Sequence, residues 1–254
     1  PNLETNAARD NFSQLYGTVN YEIINGLKVG ASGGLNYYNY ATDHYVPVLP
    51  GVGNINSGNK SDADANSQRG DLHINYNGSW EKHSLTFTGV YEYNQFSNNN
   101  FSAYGQQYLV DELGVNALQN GNAATNVIGS YLDESKLISL LGRITYNYDS
   151  RYYLTASFRR DGSSKFGINN RWGNFPSASV AWRISQEHFI RDNINWIDEL
   201  KISGGFGVTG NQDAISPYNT QLTLGTGLLY FNAAANTYPV SYTPIQNPNP
   251  YLQW

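Results

Sequence analysis

Two stretches of about ten residues alternate between apolar and polar or small side chains, and this alternation constrains the fold more than any other feature. In the first, Phe175–Ile184, the even positions are Pro176, Ala178, Val180, Trp182 and Ile184, and the intervening positions are Ser177, Ser179, Ala181 and Arg183. In the second, Leu200–Gly210, the even positions are again apolar or glycine. A period of two residues predicts a β-strand with one apolar face and one wet face.

The same period recurs in three earlier strand pairs, each joined by a short turn. The first pair, at about residues 15–24 and 27–38, flanks Asn25-Gly26, a strong hairpin signal. The others lie at about residues 71–80 and 85–94, and 138–148 and 152–158. With a weaker strand at Tyr218–Tyr230, the pattern predicts an all-β, antiparallel, up-and-down fold of about eight to ten long strands.

The predicted connections alternate between short and long. Long polar loops are predicted from about Ala41 to Asn66 and from Asn98 to about Ser135, the second with a short helix near Tyr108–Leu118. A helical turn is predicted at Glu187–Arg191. This alternation is typical of outer-membrane barrels, which have short periplasmic turns and long external loops.

Strand length separates a membrane barrel from a soluble sandwich, although both have one apolar face. The predicted strands run about ten to thirteen residues, whereas strands of soluble proteins cluster near five or six. Ten residues tilted by about 40° rise about 25 Å, which is the height of the lipid-facing band of a barrel. The length therefore favours a transmembrane barrel.

Charged and aromatic residues are distributed as a lipid-facing sheet requires. Most strand charges occupy the polar face: Glu22, Lys28, Arg69, Asp71, Glu92, Arg143, Arg159, Arg183 and Lys201. Lys136 and Arg160 are exceptions at strand ends, where lipid-facing charge costs least. Aromatic residues gather near strand ends: Tyr37, Trp80, Tyr93, Phe96, Tyr146, Tyr148, Tyr152 and Trp182. The polar face suits a wide hydrated or plugged lumen, so we interpret the strands as an open arc of a larger barrel.

The composition narrows the class of protein further. Only 14% of the 254 residues are charged, against about a quarter in ordinary soluble domains. The absence of cysteine excludes thiolate chemistry, and the net charge of −5 argues against nucleic-acid binding. No apolar run approaches the roughly 20 residues of a membrane helix. No signal peptide is visible, and Pro1–Thr5 resemble the interior of a longer protein.

Motifs for catalysis are weak in this sequence. Gly30-Ala31-Ser32-Gly33-Gly34 matches the nucleophile-elbow pattern but lies within a predicted strand, where no strand-to-helix turn can form. Gly205–Gly210 matches a dinucleotide fingerprint, but no helix is predicted after it. The four histidines are scattered, and Asp111-Glu112 and Asp133-Glu134 are adjacent pairs in a predicted loop. We therefore predict no enzyme activity and no cofactor.

A bound cation is a weaker alternative to a solvated loop at Asp62, Asp64 and Asn66. Three oxygen-bearing side chains at alternate positions resemble the start of a calcium loop. The glycine expected next is Ser67, however, and the twelfth position is His73 instead of glutamate. The solvated loop is the favoured interpretation.

Four sequence blocks occur in a characteristic order and spacing. They are Tyr153–Ala156 with Arg159–Gly167, Asn170–Gly173 with Phe175–Ser177, Gly207–Gln212, and Asn247–Trp254. Together they resemble the SusC/RagA family of TonB-dependent outer-membrane transporters.

This resemblance implies that residues 1–254 are part of a C-terminal barrel of about 22 strands, with the plug domain and the remaining strands outside this sequence. It implies import of oligosaccharides or peptides across the outer membrane of a Gram-negative bacterium, with TonB acting through the plug and a SusD-like lipoprotein as lid. Outer loops are expected at Ala41–Asn66, Asn98–Ser135, Asp161–Asn174 and from Asn211 onward. The alternatives are a β-barrel surface adhesin or enzyme, or a soluble glycan-binding β-sandwich.

The family-motif residues admit a structural and a functional interpretation. They are Arg159, Arg160, Asp161, Gly162, Ser163, Ser164, Arg171, Trp172, Gly210, Asn211 and Gln212. In the structural interpretation, Asp161-Gly162 forms a turn and Asp161 pairs with a neighbouring arginine. In the functional one, this loop touches a solute or a partner at the barrel mouth. The structural interpretation is favoured, and no substrate contact is assigned.

Overall fold

The chain consists almost entirely of antiparallel β-strands. The structure, a computed structural model, describes residues 4–194, 196–229, 232, 236 and 239–254. The predicted all-β, up-and-down fold class is confirmed. Within these described ranges, no helix has the length and apolar character needed to cross a membrane.

Ten strands and three short helical segments make up the described part of the chain. The strands are β1 (Thr5–Ile24), β2 (Leu27–Val46), β3 (Ser57–Trp80), β4 (His83–Gln106), β5 (Val127–Tyr148), β6 (Tyr152–Ser163), β7 (Trp172–Arg183), β8 (Lys201–Gly207), β9 (Thr223–Leu229) and β10 (Val240–Gln246). The helical segments are 3₁₀ turns at Gly114–Asn120 and Ile184–Gln186 and one α-helical turn, α1 (His188–Arg191).

Strands β1 to β8 form one sheet in chain order, and β9 pairs with β10 in a separate hairpin. The register from β5 to β8 aligns apolar positions: Tyr146 lies opposite Leu154, Leu154 opposite Val180, and Val180 opposite Gly204. A shift of one residue would move each apolar set to the other face. The alternation of side chains therefore fixes the register.

The short turns use backbone conformations that the sequence predicts. Gly26 has a φ of 82°, in the left-handed region that costs other residues roughly 1–2 kcal/mol. Its carbonyl accepts a hydrogen bond from the backbone N–H of Asn77 at 2.8 Å. Asp149 and Ser150, between β5 and β6, also have positive φ values of 53° and 55°, a conformation that suits tight hairpins.

Backbone contacts divide the chain into two compact units. The first comprises the described parts of Pro1–Gly17, Gly33–Arg69 and Gln95–Glu134. It contains the connections at residues 47–56 and 107–126. The second comprises Thr18–Ser32, Gly70–Asn94 and the described parts of Ser135–Trp254, and it contains β6 to β10.

The described part of the chain leaves the apolar face of the sheet exposed. Four apolar side chains are buried among the described residues: Tyr45, Val115, Ala117 and Phe166. In contrast, the apolar positions of the central strands are exposed, as in Leu140, Ile144, Leu154, Phe158, Val180, Trp182, Ile202 and Phe206. Val180 is 59% exposed and Phe206 77% exposed. In a soluble sandwich a second sheet would pack on this face and bury it as a core; among the described residues no second sheet does so.

The polar face carries side-chain hydrogen bonds within and between strands. In the second unit, His73 Nδ1 lies 2.8 Å from Asp71 Oδ2, and His73 Nε2 lies 2.7 Å from Asn20 Oδ1. Further pairs on this face are Thr18 with Ser32, Thr86 with Asn77, Thr88 with Asn75 and Ser157 with Ser177. These polar side chains thus satisfy part of their hydrogen-bonding capacity with one another. Water can hydrogen-bond to the remaining polar groups of this face.

The strands extend further than the apolar alternation predicts. The predicted loop Ala41–Asn66 is wrong at both ends, because β2 continues to Val46 and β3 begins at Ser57. The predicted loop Asn98–Ser135 shortens in the same way, with β4 ending at Gln106 and β5 beginning at Val127. Polar pairs such as Tyr37 with Asp64 and Thr42 with Ser61 continue the ladder where the apolar face has ended. The strand ends that replace the predicted loops therefore lack a continuous apolar stripe on one face.

Smaller elements differ in detail from their predictions. The helix predicted near Tyr108–Leu118 is a 3₁₀ turn at Gly114–Asn120, and the helical turn at Glu187–Arg191 is present as α1. The strand predicted at Tyr218–Tyr230 is β9, and Tyr230 lies outside the described residues. Strand β10 was not predicted.

Candidate functional site

The weak catalytic and cation motifs lie on regular strands. Ser32 sits within β2 and its hydroxyl accepts a hydrogen bond from Thr18 at 2.6 Å. Gly205 and Gly207 belong to β8, and the residues after it form no helix within the described range. Neither motif has the strand-to-helix turn that its chemistry needs.

Asp62, Asp64 and Asn66 lie on β3 and not in the loop predicted for them. The Asn39 amide donates to Asp62 at 2.8 Å and to Asp64 at 3.0 Å, and the Tyr37 hydroxyl donates to Asp64 at 2.6 Å. Within the part of the chain that the structure describes, no three His, Cys, Asp or Glu side chains are grouped closely enough to hold a metal ion. The two carboxylates serve as acceptors in a cross-strand ladder.

The four family-motif blocks converge on one aromatic cluster in the second unit. Trp254, from the last block, lies with its ring centroid 4.6 Å from that of Phe166 and 5.3 Å from that of Phe175. Phe166 is 1% exposed. Gly173 and Gly210 approach the rings of Phe175 and Trp254 so closely that a Cβ atom at either position would collide with them. Residues far apart in sequence therefore build one packed unit, here called the motif cluster (Arg159–Phe175, Gly207–Gln212 and Asn249–Trp254).

Hydrogen bonds hold the loop at residues 164–171 within the motif cluster. The Trp254 indole N–H donates to the carbonyl of Arg171 at 2.8 Å. The backbone N–H of Gly167 donates to the Leu252 carbonyl at 3.0 Å. The Lys165 ammonium donates to the Gln212 carbonyl at 3.3 Å. The loop is therefore fixed by both later blocks.

Asp161 is a buried strand residue and not part of a turn. The predicted Asp161-Gly162 turn is wrong, because β6 continues to Ser163, with Asp161 opposite Gly173. Asp161 does pair with an arginine as expected: Arg159 Nε lies 2.8 Å from its carboxylate. Arg159 also donates to the Ser139 hydroxyl at 3.1 Å. The buried carboxylate of Asp161 is tolerated because the Arg159 guanidinium forms an ion pair and hydrogen bonds with it.

The remaining motif residues also have structural contacts. The Arg160 guanidinium lies 5.1 Å from the centre of the Trp172 ring, and the same ring covers Gly162. Ser163 donates its N–H to the Arg171 carbonyl at 3.0 Å, and the Ser164 hydroxyl accepts from the Lys136 N–H at 2.9 Å. The Asn211 side chain accepts from the N–H of Asp213 at 2.8 Å. These contacts agree with the structural interpretation of the motif.

A second ordered site, which sequence reasoning missed, lies in the connections of the first unit. The Asp111 carboxylate accepts hydrogen bonds from the Tyr45 hydroxyl at 2.7 Å and from the Asn56 amide at 2.6 Å. Asn56 also accepts from the N–H of Tyr108 at 2.8 Å. Tyr45 is fully buried and Asn56 is 3% exposed. These four residues, here called the loop anchor, tie the connection at residues 107–126 to the ends of β2 and β3.

Exposed apolar side chains sit beside the loop anchor. Leu109 is 99% exposed, and Val110 and Leu113 are more than half exposed. In the connection at residues 47–56, Val52 is 68% exposed.

The hydrogen bonds from Tyr45 and Asn56 hold the pKa of the Asp111 carboxyl below its ordinary value, because both favour the ionised form.

Comparisons with known proteins agree with the sequence motifs. No family model matches the chain. One TonB-dependent receptor of Formosa agariphila is 34% identical over 202 residues, which is 79% of this chain and 20% of that receptor. A second from the same organism is 28% identical over 99% of this chain and 24% of its own length. The TonB-dependent receptor SusC of Bacteroides thetaiotaomicron is 42% identical over 84 residues, covering 33% of this chain and 8% of SusC.

Solved structures share the fold. A structure of the RagAB peptide transporter superimposes with a TM-score of 0.86 at 24% identity, covering 99% of this chain and 27% of that one. The RagAB peptide importer in a closed-closed state gives a TM-score of 0.85. The chain spans about a fifth to a quarter of the length of the Formosa relatives that it matches. The resemblance to SusC/RagA-like TonB-dependent transporters is confirmed, and these relatives are receptors and transporters, not enzymes.

We expect the loop anchor to depend on the charge of Asp111. Asp111→Asn in the intact protein removes the ionised acceptor and should cost about 1–3 kcal/mol of local stability. Hydrogen exchange of residues 107–120 should then accelerate at neutral pH, whereas Glu112→Gln, at an exposed neighbour, should leave it unchanged. Because the folded pKa is lowered, the stabilisation is complete above the ordinary value of 3.8 and is lost as the pH falls through the lowered value. Equal exchange in both variants would contradict this role.

We expect Trp254 to protect the loop at residues 164–171 from proteolysis. Trp254→Ala removes both ring contacts and the bond to Arg171, which should expose Lys165 and Arg171 to trypsin. Trp254→Phe keeps a ring against Phe166 and should give intermediate cleavage. Mass spectrometry of limited digests of the intact protein identifies the cut sites. Protection that is unchanged in Trp254→Ala would show that the motif cluster does not hold the loop.

Proposed function

Since TonB-dependent receptors match most of this chain and SusC matches a third of it, we propose that residues 1–254 form part of the C-terminal barrel wall and outer loops of a transporter in the outer membrane of a Gram-negative bacterium. The apolar face would meet acyl chains, and the polar face would line a hydrated or plugged lumen. The barrel would have about 22 strands, with the plug and the other strands supplied by the rest of the transporter.

The exposed apolar face is the observation that carries this proposal. Leu154 lies opposite Val180, and Ile202 lies opposite Trp182 on the same face; all four side chains are exposed. The opposite face holds Ser157, Ser177 and Lys201, which water solvates readily. In water, an uncovered apolar surface of this size would favour association. In a bilayer, the same apolar surface would be stabilised by contact with lipid acyl chains.

An aromatic row supports a membrane boundary at the short-turn end of the second unit. The Trp80 and His83 rings stack with centroids 5.4 Å apart, His83 lies 4.9 Å from Tyr148, and Tyr148 lies 6.3 Å from Tyr152. Trp182 lies opposite Tyr152 in the sheet register. These five residues are here called the aromatic row. Amphipathic rings at one level across several strands are typical of the lipid–water interface.

We propose that the transporter imports oligosaccharides or peptides. Its external SusD-like lipoprotein would close over the outer loops, and TonB would supply energy through the plug. The names of the relatives support this assignment: one is SusC and another is part of a peptide importer. A groove beside the start of β7 has suitable chemistry, because it is lined by Trp172 and Trp254 and by the amides of Asn169, Asn170 and Asn174. Indole rings stack on sugars or apolar side chains, and amides bond hydroxyl or peptide groups.

A pair of adjacent arginine substitutions tests the proposed orientation of the sheet. Val180→Arg places a charge on the apolar face of β7, two residues inside the aromatic row, where lipid exposure should cost up to about 2–4 kcal/mol, the value for the bilayer midplane. Ser179→Arg places the same charge on the polar face, where water solvates it. In the intact transporter, we expect less folded, heat-modifiable barrel in the outer membrane for Val180→Arg and near-normal amounts for Ser179→Arg. Equal assembly, or a greater loss for Ser179→Arg, would overturn the proposed orientation.

A further inference from the structure

The connection between β7 and β8 is an ordered segment with an unusual attachment. It begins with the 3₁₀ turn Ile184–Gln186 and continues through α1. The Ser185 N–H donates to the Leu200 carbonyl at 3.1 Å, and this bond joins the two ends of the connection. The described part of this segment, residues 184–194 and 196–200, is here called the β7–β8 segment.

Glu187 fastens the β7–β8 segment to the aromatic row. Its carboxylate accepts hydrogen bonds from the Tyr152 hydroxyl at 2.7 Å and from the Trp182 indole N–H at 3.0 Å. Arg151 contributes an ion pair at 3.3 Å. The bonds from Tyr152 and Trp182 hold the pKa of the Glu187 carboxyl below its ordinary value. A single charged side chain thus joins the polar tips of two interfacial rings.

These bonds set the side of the sheet on which the segment starts. Tyr152 and Trp182 share their face with Leu154 and Val180, because residues two apart in a strand point the same way. All four are exposed on the apolar face. Glu187 reaches both polar tips, so the beginning of the β7–β8 segment lies at the edge of the apolar face and not over the polar face.

The segment has two large aromatic side chains that the described part of the chain leaves exposed. Phe189 is 57% exposed and Trp196 is 83% exposed. They follow a strand whose own last ring, Trp182, is 39% exposed on the apolar face. Aromatic residues exposed next to an interfacial row are placed where headgroups meet acyl chains.

We propose that the β7–β8 segment is a membrane-surface anchor, with Phe189 and Trp196 inserted among the phospholipid headgroups of the periplasmic leaflet. The proposal commits to lipid as the occupant because the segment is continuous with the aromatic row through Glu187. Short turns of outer-membrane barrels face the periplasm, and this segment adjoins such a turn, since Arg183 donates its N–H to the Arg151 carbonyl at 2.7 Å. The inference rests on the proposed membrane location of the sheet.

Site-directed spin labelling of the intact transporter in phospholipid vesicles tests this anchor. The sequence contains no cysteine, so Phe189→Cys and Trp196→Cys introduce single labelling positions into this part of the protein. Val180→Cys is the lipid-facing reference and Val52→Cys, in the exposed connection at residues 47–56, is the aqueous reference. We expect labels at 189 and 196 to collide more often with dissolved oxygen and less often with a water-soluble nickel chelate than the label at Val52 does.

The references separate failure of this inference from failure of the proposed function. If the Val180 label lies in lipid but the label at 189 or 196 is as accessible to nickel as that at Val52, the anchor is wrong and the barrel orientation stands. If the Val180 label is itself aqueous, both proposals are wrong. Fluorescence with brominated phospholipids gives an independent readout without labels: the quenched fraction of the native protein should fall in Trp196→Phe. An unchanged quenched fraction would overturn the placement of Trp196.

Discussion

The structure depends on an apolar sheet face that the described residues leave exposed. Most strand residues that would form the core of a soluble domain are exposed, and only Tyr45, Val115, Ala117 and Phe166 are buried apolar side chains among the described residues. In the proposed membrane location, the free energy that stabilises the sheet would come from lipid contact on one face and from the hydrogen-bond ladder between the strands. The two-residue alternation of side chains would then determine which of them meet acyl chains and which meet water.

Polar and aromatic clusters organise the segments that leave the sheet. The motif cluster uses Trp254 to hold the loop at residues 164–171, and the loop anchor uses Asp111 to hold the connection at residues 107–126. Glu187 does the same for the β7–β8 segment. In each case one side chain satisfies partners from distant strands or loops, so the connections are ordered without a large apolar core. Ordered connections of this kind can present a defined surface to a solute, a partner or a lipid headgroup.

The central strands are predicted well from the sequence because one face of the sheet is apolar and the other polar, so that side-chain character alternates along each strand. The prediction from sequence was wrong where the apolar alternation stops or where pairing between strands overrides local turn preference. Residues 57–66 at the start of β3 carry no apolar stripe, and the apolar residues at the end of β2, Ala41, Tyr45 and Val46, fall on both faces, so the alternation predicts loop in both segments. Asp161-Gly162 has turn chemistry, but its pairing with β7 prevails. The contacts of Trp254 with Phe166 and of Asp111 with Tyr45 join residues that are distant in sequence, and periodicity carries no information about such pairs.

The solvent on each face of β7 can be measured most directly by solid-state NMR of the intact transporter in a bilayer. Magnetisation is transferred to the protein either from lipid acyl-chain protons or from water protons. We predict fast build-up from acyl chains at Ala178 and Val180 and fast build-up from water at Ser177 and Ser179. Build-up that does not alternate along the strand, or that reaches Val180 first from water, would contradict the assignment of the apolar face to lipid.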